Sequence, residues 1–204
     1  MKIVKSADLQ AIIDKGFERY KETHTIHWLK SREMAKKYSI LFSLSVSLLF
    51  VLLQIIVTHR GALELGDTFW DFNSVSGVFS LVVFVIIVQL AIMPAHECIH
   101  YLFYPFKSKA NVCMSYTYGN QDTFFYDGLL TKKRYLVILA APFVLINSTV
   151  IVLIFFIADT ISLLIAIHLS TLVSYWDIIR FFDVLCNVPR DVHMYAGQFI
   201  KLKQ

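Results

Sequence analysis

Four long runs of apolar residues dominate the chain, each close to the roughly 20 residues a helix needs to cross a bilayer. The first covers about Ser39 to Val57, the second about Val75 to Phe103, the third about Tyr135 to Ala158 and the fourth about Ile161 to Leu185. Pro94 interrupts the second, and the last third of the fourth carries Asp177, Arg180 and Asp183. Only Asp159 and Thr160 separate the third run from the fourth, which predicts a tight helical hairpin. Ahead of the first run, Leu9, Ile12, Ile13, Phe17 and Tyr20 recur at helical spacing among Lys15, Glu18, Arg19 and Glu22. That spacing predicts an amphipathic helix. Between the second and third runs the period changes to two. Val112, Met114, Tyr116 and Tyr118 alternate with Cys113, Ser115 and Thr117, Gly119-Asn120 supplies a turn, and Thr123 to Tyr126 is again strand-like. This predicts a β-hairpin over 111–127.

The pattern therefore predicts an all-α membrane protein. Four transmembrane helices occupy 39–185, with the small β-hairpin loop between the second and third. A cytoplasmic amphipathic N-terminal segment covers 1–38, and a cytoplasmic C-terminal tail covers 186–204. Composition agrees: 57% of the 204 residues are hydrophobic and the mean hydropathy is +0.61. Charge then orients the bundle. Lys and Arg crowd three places: ahead of the first run, the 104–134 loop and the segment after the fourth run. The loop after the first run has only Arg60, and the loop after the third has none. The positive-inside rule places both termini and the 104–134 loop in the cytoplasm. A net charge of +4, scattered at run ends, does not make a nucleic-acid binder. Cys98, Cys113 and Cys186 form no disulfide framework. The first 38 residues lack the apolar core of a signal peptide. Nothing repeats in inverted halves as a transporter would.

Candidate chemistry sits at the end of the second run, in His96-Glu97-Cys98-Ile99-His100. On a helix, residues four apart share a face. His96 and His100 can therefore point ring nitrogens at one ion, and Glu97 can reach a water there without ligating. The set suits zinc hydrolysis, in which the metal lowers the pKa of water to about 7 and the carboxylate takes its proton. Ionisable residues are expensive in an apolar helix, so this cluster carries a role unless it is simply solvated among headgroups. Pro94 removes a hydrogen bond just before the ligands and loosens the helix there. Cys98 faces away from both histidines.

Such a site needs a third protein ligand. The candidates are His168, Asp177, Asp183, Asp191 and His193. Measured along their helices, His96 and His100 lie about 30 Å from the outer face, Asp177 about 24 Å and His168 about 10 Å. Depth favours Asp177, although an ion pair with Arg180 is its plainer use, and Asp191 and His193 stay open. His24 and His27 read as surface histidines. An unwound substrate could add as a strand to the edge of the hairpin, with Tyr116 and Tyr118 against it. The same aromatic residues would also serve as an interfacial anchor. Asn147 in the third run could polarise a substrate carbonyl, or simply hydrogen-bond between helices.

The short-flanked spans, His-Glu-x-x-His at the end of the second, Ala141-Pro142 early in the third and Asp177 late in the fourth resemble the zincin peptidases of bacterial membranes. These are small proteins similar to the site-two proteases, which cleave membrane helices of other proteins. The likeness covers roughly residues 75 to 195. It implies Zn2+ on His96, His100 and Asp177, Glu97 as general base, a protein or peptide substrate and a place in the bacterial cell membrane. One difference is local: the family's Asp usually follows Gly, and here it follows Trp176. A non-catalytic, metal-binding or regulatory subunit on the same scaffold is the alternative.

Overall fold

The structure, a computed structural model, describes residues 2–4, 6–21, 24–27, 45, 48, 74–105, 112–115, 124–154, 160–196 and 198–202. It is mostly helical. In chain order come β1 (Lys2–Val4), α1 (Ser6–Lys21), β2 (His24–His27), α2 (Val75–Phe103), β3 (Val112–Ser115), β4 (Phe124–Tyr126) and β5 (Leu130–Thr131). Then follow α3 (Lys132–Ile154), α4 (Thr160–Val173), α5 (Tyr175–Asn187), β6 (His193–Tyr195) and β7 (Gln198–Leu202). Two compact units divide the chain. One comprises Met1–Met34, Glu97–Ala141 and Asp177–Gln204, the other Ala35–His96 and Pro142–Trp176.

The first unit is built on two small sheets. In one, β3 lies between β1, which it pairs in parallel, and β4, which it pairs antiparallel with Val112 opposite Tyr126. The expected hairpin is thus present as a strand pair, and its turn, with Tyr116 and Tyr118, lies outside the described residues. The other sheet has the order β2-β7-β6-β5, antiparallel throughout. The hydropathy pattern does not predict it, and reads 186–204 as a tail. Ala196, at φ 48°, takes the left-handed conformation that turns β6 into β7.

Adjacent strand residues point to opposite faces, and this joins two cores. Tyr126 of β4 and Met194 of β6 pack with Leu130, Tyr135, Ile138, Leu139, Val184, Val188 and Val192. Their neighbours Phe125 and Tyr195 pack with Leu9 and Ile200, under Ile12, Ile13, Phe17 and Tyr20 of α1. Tyr195 is the centre of the second core. Its ring meets those of Phe17, Tyr20 and Phe125 edge-on at 5.2, 5.3 and 5.7 Å. Its hydroxyl donates to Asp127 Oδ1 at 3.1 Å, and Arg19 lies 3.8 Å from the other carboxylate oxygen. Gly16 makes room for that hydroxyl: a Cβ there would stand 1.6 Å from it.

The second unit holds the apolar lengths of α2, α3 and α4. Val78, Phe79, Val82, Ile86, Ile87, Leu90 and Met93 of α2 are exposed, as lipid contact requires. Two helices, Val75–Phe103 and Lys132–Leu153, are long and apolar enough to cross a membrane. A third span counts if Leu164–Val173 and Tyr175–Asn187, which meet at a bend of 56°, form one. The expected first span, 39–57, lies outside the described residues apart from 45 and 48, so four spans are not established. The fourth run was expected as one helix. It bends instead at Ser174, where the Thr171 hydroxyl donates back to the Ile167 carbonyl at 2.8 Å. Helix α2, in contrast, runs unbroken through Pro94.

Candidate metal centre

His96 and His100 occupy one face of α2 near its end, four residues apart, and both are buried. Asp177 stands in the first turn of α5, where the helix dipole favours a carboxylate. Its Oδ2 lies 3.0 Å from His100 Nε2. Taken together, His96, His100 and Asp177 offer one ligand atom each within 4.8 Å of one another. Ligand atoms on one tetrahedral zinc lie about 3.3 Å apart, so modest side-chain rotation closes this group on an ion. Glu97 is half-buried beside them.

The second nitrogen of each ring is also engaged. His100 Nδ1 donates to the Ile138 carbonyl at 2.9 Å. A carbonyl only accepts, so Nδ1 keeps its proton, and Nε2, which donates to the Asp177 carboxylate here, is the nitrogen that would face a metal once that proton leaves. The Ser174 hydroxyl stands 3.4 Å from His96 Nδ1, at the bend and fully buried. The donor set of two imidazoles and a carboxylate, oriented by outer hydrogen bonds, fits zinc.

Other candidates lie elsewhere. Asp183 is buried, and its Oδ1 accepts from Asn187 Nδ2 at 2.8 Å. Asp191 and His193 are exposed, His168 is half-buried on α4, and none of these four belongs to the group of potential ligands. His24 and His27 lie on β2, paired with β7. Cys98 is exposed. Asn147 is buried and donates from Nδ2 to the Phe143 carbonyl of its own helix at 2.9 Å. That bond uses one of the two Nδ2 hydrogens. Sequence reading missed Ser174 and the Ile138 carbonyl. A backbone carbonyl carries no residue signature. Ser174 is one of several hydroxyl residues in that run, with Ser162, Ser170 and Thr171, so the sequence does not single it out.

A family model described as "putative zincin peptidase" matches residues 89–193, just over half of the chain. No curated protein and no solved structure matches it. The name zincin implies zinc, and the matched stretch contains all three clustered side chains together with Glu97. By that match the chain belongs to the putative zincin peptidase family.

Proposed function

We propose that the protein is an intramembrane zinc metallopeptidase, similar to the site-two proteases, that cleaves membrane or juxtamembrane peptide segments. The observation that carries this reading is the group His96, His100 and Asp177, with ligand atoms within 4.8 Å. These three hold the metal. Zinc bound there supplies Lewis acidity and a water that ionises near neutral pH. Glu97 takes the proton from the attacking water and passes it to the leaving amine. Burial of both histidines keeps bulk water from the ligands. Three protein ligands are the number found in catalytic sites, where closed structural sites have four.

Substrate would bind extended along the hairpin. Among the described residues β3 is paired on both sides, which leaves β1 and β4 as the edges of that sheet, and β4 is the one we assign to a peptide strand. Tyr126 of β4 stacks on Tyr104 at 5.4 Å, four residues beyond His100, so that edge runs beside the end of the ligand helix. Tyr116, Tyr118 and Asn147 are the further substrate contacts of this reading. The bilayer of the bacterial cell membrane is the medium, with both termini cytoplasmic and no role for nucleic acid.

Zinc content of the detergent-purified protein tests the site. We expect about one equivalent, falling below half with His96→Ala. Glu97→Gln should retain zinc and lose about 100-fold or more in cleavage. Undiminished zinc in the first variant, or undiminished proteolysis in the second, would remove those residues from the mechanism. Zinc without any cleavage by the wild type would favour a non-catalytic scaffold.

A further inference from the structure

The basic cluster at the head of α3 marks the cytoplasmic side by charge alone, yet two of its members are bound to backbone. Lys132 Nζ donates to the Val188 carbonyl at 2.6 Å and the Leu185 carbonyl at 3.1 Å. Arg134 Nε donates to the Phe103 carbonyl at 2.8 Å. These acceptors are the C-terminal ends of α5 and α2, where carbonyls lack helical partners and cations are favoured. Helices α2 and α5 are the ones whose side chains meet as His100 and Asp177. One turn further along α3, the Ile138 carbonyl holds His100 Nδ1. The turn itself is fixed by Thr131, whose hydroxyl accepts from the Arg134 amide at 3.3 Å.

We propose that Lys132 and Arg134 are positioning residues that set the approach of His100 and Asp177, and through it the metal affinity of the site. The lever is long. Asp177 lies roughly 12 Å along α5 from Leu185. A tilt of about 5° at the capped end therefore moves the carboxylate by about 1 Å, against a tolerance of about 0.2 Å in zinc–ligand distances. Lys133 carries the same charge, is exposed, and supplies the control.

The proposal rests on the metal site described above, and a wild-type arm separates the two. Zinc dissociation constants of the full-length protein in detergent are measured by chelator competition. Lys132→Met and Arg134→Met should each bind zinc about tenfold more weakly or worse. Lys133→Met should match the wild type, and Lys132→Arg should recover to within about threefold, because it restores the donor. If Lys132→Met does not fold, Arg134→Met and Lys132→Arg are read in the same way. Wild-type affinity in both methionine variants overturns the proposal. So does a Lys133→Met variant as weak as Lys132→Met, because charge and not geometry would then be at work. A wild type that binds no zinc overturns the metal site itself.

Discussion

His100 and His96 each have an outer partner at Nδ1, and the two differ in kind. At Nδ1 the Ile138 carbonyl cannot be removed by changing a side chain, whereas Ser174 beside His96 can be. Ser174→Ala deletes the hydroxyl with little change in volume. It should weaken zinc binding about tenfold, as loss of an outer hydrogen bond does in other metal sites. Chelator competition reads this, and an unchanged constant would show that Ser174 does not orient His96. Tyr195 gives a second residue-level expectation. Burial, aided by Asp127, pushes its hydroxyl above the ordinary tyrosine range. The fold therefore holds the protonated form. Its contribution to stability is complete below about pH 10, where the unfolded chain ionises, and is lost as the pH rises towards the folded value. Stability should fall between about pH 10 and 11 in the wild type and fall less in Tyr195→Phe. Equal slopes in denaturant titrations would assign the effect to other groups.

Elements here depend on small residues and alternation more than on hydropathy. Helix α1 reaches the second core only because Gly16 leaves space for Tyr195. Gly16→Ala should destabilise the protein by about 1–3 kcal/mol, the usual cost of overpacking. It should also speed amide exchange over Ser6–Lys21, and unchanged exchange would mean that α1 is held by other contacts. The helices were legible as apolar runs because their hydrogen bonds are local. Strands β6 and β7 were not, although Met194 and Tyr195 are among the most buried side chains. Their pairing with Leu130 and with His24 joins distant parts of the chain, which no local periodicity encodes. The fourth run shows the limit for helices too. Its composition predicts one span, while the structure breaks it at Ser174 with a bend of 56°, which mean hydropathy does not register.

Across the whole molecule, helices long and apolar enough to cross a membrane associate the chain with one, and the basic segments predict its orientation. Reporter domains fused to either terminus should be active only on the cytoplasmic side. A terminus reporting from the opposite side would imply an odd number of spans. The same basic segments serve the fold. Lys132 and Arg134 count towards the charge asymmetry and also close the ends of two helices. Counting charges cannot separate those roles, because it registers position along the chain and not the carbonyls nearby.

His96 and His100 share a face because helical periodicity fixes neighbours four residues apart, and Glu97 follows from the same geometry. The sequence alone determined that much, along with the apolar lengths that need a bilayer. Depth along the fourth run also singled out Asp177, but it supposed a straight helix. Only the tertiary structure decided how Asp177 comes within 3.0 Å of His100 across 77 residues of chain. Asp177 begins a separate helix, three residues after the bend at Ser174. Long-range contacts of this kind arise from packing and from backbone groups that every residue carries, and a pattern of side chains does not record them.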